Sequence, residues 1–315
     1  MNALRKRAAN RRITWRISGK KQDILACYLM LLLPIAGFLL FNMYPLLWQI
    51  QKAFYRYNGV KSYTKFVGLK NFITIFTEDI PFWKSYLVTF QFTLIKVPIE
   101  LAIALFIASL LSNEAIKFKG MFRAMFYVPV LVSMVVVGII YSNMFSYFGV
   151  INSLLQKIGV ISEPIDFFSG KWRVMSSLIG GHIWCNVGTN ILFFIAALAN
   201  IPKDCYEAAY IDGAGSFTVF RKITLPLMGP VLSTILLLSF LGTLGVGEYV
   251  YMTSNGAPAG ETTTVGMYML NFLPGFAQSN IEIGYASALT FVVSVISMVT
   301  SFAFKRLSTW LTGKV

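Results

Sequence analysis

The sequence predicts an all-α membrane protein with six transmembrane helices, and three observations predict it. Of 315 residues, 56% are hydrophobic and 13% charged, with a mean hydropathy of +0.66. Soluble domains carry about 25% charged and about 45–50% apolar residues, so this composition excludes an ordinary soluble enzyme, a disordered protein and a coiled coil. The apolar residues fall in six long runs, roughly 24–47, 85–112, 121–147, 174–199, 227–252 and 283–304. The basic residues, which leave a net charge of +14, lie between those runs rather than on one solvated face. That is a topology signal, not the footprint of nucleic-acid binding.

Each run is 22 to 28 residues long. Barrel strands are about 9–11 residues with strict alternation, whereas about 20 apolar residues span a bilayer core of about 30 Å as a helix. Helices also satisfy their own backbone hydrogen bonds in lipid. The first run follows a basic segment, residues 1–23, with eight Lys and Arg from Arg5 to Lys21. It is too long for the 7–15-residue apolar stretch of a signal peptide, and it ends in Asn42-Met43-Tyr44-Pro45. It is therefore read as the first span.

Placing the N-terminus inside puts 17 Lys and Arg on inside segments and nine on outside segments, with Lys96 left within the second span. The bias predicts both termini on the cytoplasmic side, with residues 307–315 as a short cytoplasmic tail. Tyr44, Trp48, Trp172, Tyr249, Tyr251 and Trp310 flank the runs, as interfacial aromatics do. Cys27, Cys185 and Cys205 stand far apart, without the spacing of a disulfide framework or a zinc site. No metal site is expected.

The inside loop from about Asn200 to Pro226 is not composed like a connector. Asp204 with Glu207 three residues on reads as an N-cap and capping box. Cys205–Ile211 is a run of helix formers, Gly213 and Gly215 can end it, and a second helical turn follows from Ser216 to Ile223. An amphipathic helix–Gly–helix with exposed aromatics suits docking into a groove on a partner.

Within this loop, Glu207-Ala208-Ala209, three residues, Gly213, nine residues, Ile223, one residue and Leu225-Pro226 resemble the EAA loop of ABC importer permeases. The surrounding stretch is similar to the maltose-permease-like, oligosaccharide-importing members. Trp184, 23 residues before Glu207, Thr253-Ser254-Asn255-Gly256-Ala257-Pro258 and Gly284-Tyr285-Ala286-Ser287-Ala288 strengthen the resemblance, which covers about residues 24–306. It implies the type I ABC importer permease fold, one six-helix domain over 24–306 with its coupling loop at 200–226, in the bacterial plasma (inner) membrane. Glu207, Ala208, Ala209, Asp212, Gly213, Ile223, Leu225 and Pro226 would then form the coupling site for an ATPase. No GxxxxGK[ST] occurs, because Gly170-Lys171 is followed by Trp172 and Gly313-Lys314 by Val315. The chain is therefore expected to be non-catalytic and to bind no cofactor, with ATP and Mg on the partner. The implied partners are a second homologous permease, two copies of an ABC ATPase and an extracellular solute-binding protein that delivers an oligosaccharide.

Polar residues at membrane depth invite a functional reading. Lys96 and Glu100 stand four apart beside Pro98, which puts them on one helix face. They read either as a self-neutralised structural pair or as a gate or contact to a second permease. In the fourth run, Asn186, Thr189 and Asn190 interleave with small residues. In the fifth, Ser239, Thr243 and Glu248 do the same. The resemblance places Cys185, Asn186, Thr189, Ser239, Gly242, Thr243 and Val246 where related permeases line the sugar cavity. However, Thr243, Gly245 and Val246 stand where maltose-type members carry asparagines. His182, the only histidine, reads as structural. The competing function is an ion-coupled secondary transporter using Lys96, Glu100 and Glu248, although the sequence shows no repeat at a fixed offset of the kind such carriers use.

Overall fold

The computed structural model describes residues 20–113, 116–276 and 281–312. Most of the basic segment 1–23, and the end of the tail at 313–315, lie outside the described residues. The chain divides into two units at residue 51/52.

The first unit is one apolar rod. Helix α1 (Lys20–Phe38) runs through a π turn at Leu39–Met43 into α2 (Tyr44–Lys52). None of its described side chains is buried within the chain. A rod apolar all round is a lipid-immersed one. The π turn ends just before Pro45, whose ring would clash with the carbonyl four residues back in a regular α-helix. A second π turn, at Phe220–Thr224, precedes Pro226 in the same way.

The second unit begins with an antiparallel ribbon. In it β1 (Tyr55–Arg56) pairs with β2 (Lys65–Phe66) in the register Tyr55↔Phe66. A short α3 (Lys70–Thr77) leads to α4 (Ile80–Ser112). Asp79 caps α4 by accepting the Phe82 N–H at 2.9 Å, and Pro81 follows in the first turn, where its missing N–H is harmless. At about 1.5 Å per residue, the 33 residues of α4 exceed a bilayer core by several turns. Its main partner is α8 (Lys171–Ala199). Phe92, Leu101, Leu178, Phe194, Ile235 and Tyr249 form the main core. A second cluster, with Ile75, Phe82, Val265 and Leu289, holds α3 and α4 to α14 (Val265–Leu270) and α15 (Ile283–Thr312).

The expected third and fifth spans are not continuous helices. Residues 119–144 form α5 (Lys119–Tyr127), a 3-10 turn at Val128–Leu131 and α6 (Met134–Met144), bent by 92° at the break. Pro129 removes a donor there, and Val132 and Ser133 are extended. A small α7 (Val150–Lys157) follows. Residues 216–254 break as well. Following α9 (Lys203–Ile211), α10 (Ser216–Val219) and α11 (Leu225–Leu227), helix α12 (Gly229–Gly242) turns away by 72°. A 3-10 turn at Thr243–Gly245 then separates it from α13 (Gly247–Ser254). Gly229-Pro230 and the glycines 242, 245 and 247 supply the breaks. The described residues therefore hold four helices long and apolar enough to cross a membrane, or six if each bent pair counts as one span.

Candidate functional site

The loop at 200–226 folds as two short helices around a glycine. Helix α9 starts two residues earlier than an Asp204 cap requires. Pro202 occupies the cap position with no side-chain hydrogen bond, and Asp204 lies in the first turn. The capping box is thus not formed, and Asp204 instead places its charge at the positive helix end. The C-terminus is a Schellman motif. Gly213 takes φ +73°, its N–H donates to the Tyr210 carbonyl at 3.1 Å, and the Ala214 N–H donates to the Ala209 carbonyl at 2.9 Å. A Cβ at Gly213 would meet nothing within 4 Å, so only the backbone angle demands glycine.

The residues of this loop divide by exposure. Glu207, Ala208, Asp212, Leu225 and Pro226 are exposed, Ile223 is half-buried, and Ala209 is buried. The Tyr206 and Thr224 hydroxyls share a hydrogen bond at 3.2 Å, tying the two arms together. Between the arms Ile211, Phe217 and Tyr210 are 85%, 75% and 58% exposed. The unit is therefore braced from behind and presents apolar groups outward.

A buried polar track runs through the helices above it. The Thr93 and Thr243 hydroxyls meet at 2.7 Å, and Asn190 donates to Ser239 Oγ at 3.3 Å. Lys96 and Glu100 form an ion pair, 2% and 0% exposed as residues, with the Asn190 amide beside Glu100. Of the two sequence readings, this burial favours the internal pair over a contact to another permease. His182 is buried edge-on between Phe92 and Tyr249 and faces the Asn186 amide. Its neighbours are aromatic rings, and no group of three or more His, Cys, Asp or Glu side chains could hold a metal among the described residues.

Of the predicted pathway residues, the structure joins Asn190 to Ser239 and buries both together with Thr243. Asn186 and Thr189 are half-buried, and Glu248 is exposed. A Cβ on Gly242 or Gly245 would meet only open space. Asn186, Thr189, Gly242, Gly245 and Glu248 are therefore at least partly uncovered by the chain itself, whereas Asn190, Ser239 and Thr243 serve its packing. Gly188 marks the closest approach along α8, where any Cβ would collide with the Phe126 carbonyl.

A carboxylate at the opposite end from the loop escaped the sequence reading. Asp79, besides capping α4, accepts the hydroxyls of Tyr268 and Tyr285. The Asp-x-Pro start of α4 was a legible cap signal. The two tyrosines, far along the chain, carried no signal. Burial, and then the hydrogen bond and charge of Asp79, push the Tyr268 hydroxyl above its ordinary value of 10.0.

Residues 85–313 match the family of binding-protein-dependent transport system inner membrane components. The chain belongs to this family. Among relatives of this inner membrane component, the lactose transport system permease protein of Rhizobium radiobacter is 33% identical over 85% of this chain and 89% of its own length. The arabinooligosaccharides transport system permease protein of Bacillus subtilis is 30% identical, over 87% and 85% respectively. In fold, this inner membrane component is similar to a bacterial ABC transporter involved in the import of the acidic polysaccharide alginate. The TM-score is 0.74 at 24% identity, covering 93% of this chain and 97% of that one. An inner-membrane permease component with kinked spanning helices accounts for the fold, and membership of this family leaves the ion-coupled carrier without support.

Proposed function

We propose that this permease forms half of the translocation pathway of an ATP-driven importer that takes oligosaccharides from a binding protein. The observation that carries the reading is the exposed α9–Gly213–α10 unit at 200–226. It is stiffened internally, offers Glu207 and Ala208 on its surface, and exposes Tyr210, Ile211 and Phe217 beside them. A second ABC permease pairs with the chain, and each permease docks its coupling helix into one of two ATPase copies. ATP and Mg stay on the ATPases. Both termini and the coupling loop face the cytoplasm, in keeping with the basic-residue bias. The half-buried and exposed residues Asn186, Thr189 and Glu248 face the passage, while Asn190, Ser239 and Thr243 shape its wall. The relatives that transport lactose and arabinooligosaccharides support a saccharide cargo.

Reconstitution tests this. The permease, its paired permease, the ATPase and the binding protein are assembled in vesicles and given labelled lactose or arabinotriose. ATP-dependent uptake that needs the binding protein is expected. Uptake driven by an ion gradient without ATP would overturn the reading.

A further inference from the structure

Near the end of the molecule opposite the coupling loop lies a cavity of about 620 Å³, within the range of small-molecule pockets, about 300–1,000 Å³. One wall is a single face of the first three turns of α4, because Pro81, Lys84, Ser85, Val88 and Gln91 recur at three- and four-residue spacing. The facing wall is the segment around Gly260, Glu261 and Thr263, with Tyr268 and Asn271 behind it. Lys171, the first residue of α8, completes the rim. Because α8 runs from Lys171 to the loop at 200–226, the cavity and the coupling unit sit at opposite ends of one helix.

Two of its side chains are unsatisfied. The amide oxygens of Gln91 and Asn271 are buried, and neither meets a donor in the protein. A buried acceptor left without a partner is costly, so each amide has reason to turn toward any donor that enters the cavity. Two hydroxyls of the wall are committed, Ser85 donating to the Phe82 carbonyl and Tyr268 to Asp79, whereas the Thr263 hydroxyl adds a further group that can donate or accept. Glu261 offers further acceptors, and Lys84 and Lys171 offer ammonium donors. This combination calls for a neutral ligand that brings many donors and acceptors at once. A bare phosphate or sulfate group brings few or no donors, and would leave the two amide oxygens unmet beside the Glu261 carboxylate.

We propose that this cavity is a receiving subsite for one hydroxyl-rich sugar unit, held by Gln91 and Asn271 before it enters the translocation passage. The inference rests on the importer reading and adds to it a place where the permease itself touches the cargo.

The test uses the assembled transporter in vesicles, with Leu87→Cys as the reporter. Leu87 lines the cavity and is 60% exposed. The rate of labelling by a membrane-impermeant maleimide is measured with and without lactose or arabinotriose, whichever the transporter carries. Labelling of the parent chain at Cys27, Cys185 and Cys205 gives the background. The transported sugar is expected to slow labelling, and Gln91→Leu or Asn271→Leu to weaken that protection about tenfold, as one lost hydrogen bond would. Leu87→Trp, which fills the cavity from an exposed position, is expected to lower uptake. Unchanged labelling with a sugar that is transported would overturn the subsite alone. Protection that survives both leucine variants in transporters that still assemble would overturn it too. Uptake driven by an ion gradient without ATP would overturn the importer reading and the subsite with it.

Discussion

Tyr285 donates its hydroxyl to Asp79 Oδ2 across 2.5 Å, joining residues 206 apart in sequence. Because Asp79 Oδ1 also accepts from Tyr268 at 2.7 Å and from the Phe82 N–H, one carboxylate holds the starts of α4 and α15 to α14. Loss of a helix cap costs about 0.5–2 kcal/mol, and hydrogen bonds to a charged group contribute about 1.5–3 kcal/mol each. Asp79→Ala is therefore expected to destabilise the detergent-solubilised permease by about 4 kcal/mol or more, seen as a lower thermal midpoint. Asp79→Asn, which can still accept bonds, is expected to lose less.

The same clasp makes stability sensitive to alkali. The folded chain holds the Tyr268 proton more tightly than an unfolded chain does. Its contribution is fully present below pH 10.0, the ordinary tyrosine value, and declines as the pH rises above it. A thermal midpoint that falls across this range in the parent chain, and falls less steeply in Tyr268→Phe, is the expected result.

Lys96 and Glu100 neutralise each other within the helix packing. Removing one partner strands a buried charge, which costs about 3–5 kcal/mol, whereas replacing both with apolar groups is often neutral. Lys96→Met is expected to be strongly destabilising, and Lys96→Met with Glu100→Leu to recover most of the loss. A double variant as unstable as the single one would mean that the pair does more than cancel itself.

At Gly213, bulk meets nothing inside the chain, so any effect of bulk beyond backbone strain is felt outside it. The left-handed angle costs an L-residue about 1–2 kcal/mol, which Gly213→Ala isolates. Gly213→Trp is expected to leave the protein in the membrane but to abolish ATP-driven uptake. Uptake at the parent rate would refute the docking role of this loop.

Gly188 makes the opposite case. The Phe126 carbonyl occupies the space a Cβ needs, and overpacking of this kind costs about 1–3 kcal/mol. Gly188→Ala should lower the thermal midpoint while leaving the coupling loop unaffected.

Much of this architecture was legible because lipid imposes simple rules. Apolar length marked α4, α8 and α15, and the ordered spacing of Glu207, Gly213 and Pro226 marked the loop. The breaks at 132–133 and 228 were not legible, because apolar composition is the same on both sides of a kink. Only Pro129 and Gly229-Pro230 hinted at them. The cap was misplaced by two residues, at Asp204 rather than Pro202, because an acidic side chain near a helix start serves equally as a cap or as a first-turn charge, and only the backbone decides. Partnership over long separations, such as Thr93 with Thr243 or Asp79 with its tyrosines, leaves no local trace. Exposure separated Glu248 from Ser239, although both looked alike as polar residues in an apolar run.

The outward-facing Tyr210, Ile211 and Phe217 also bear on how the transporter is made. With the loop on the cytoplasmic side, as proposed, these groups would meet water rather than lipid in a newly inserted chain. An orphan copy thus carries an adhesive spot that chaperones and proteases can find, and an ATPase docked there would hide it. Assembly would then act as its own quality check, with copies made in excess of the ATPase removed and only matched sets persisting.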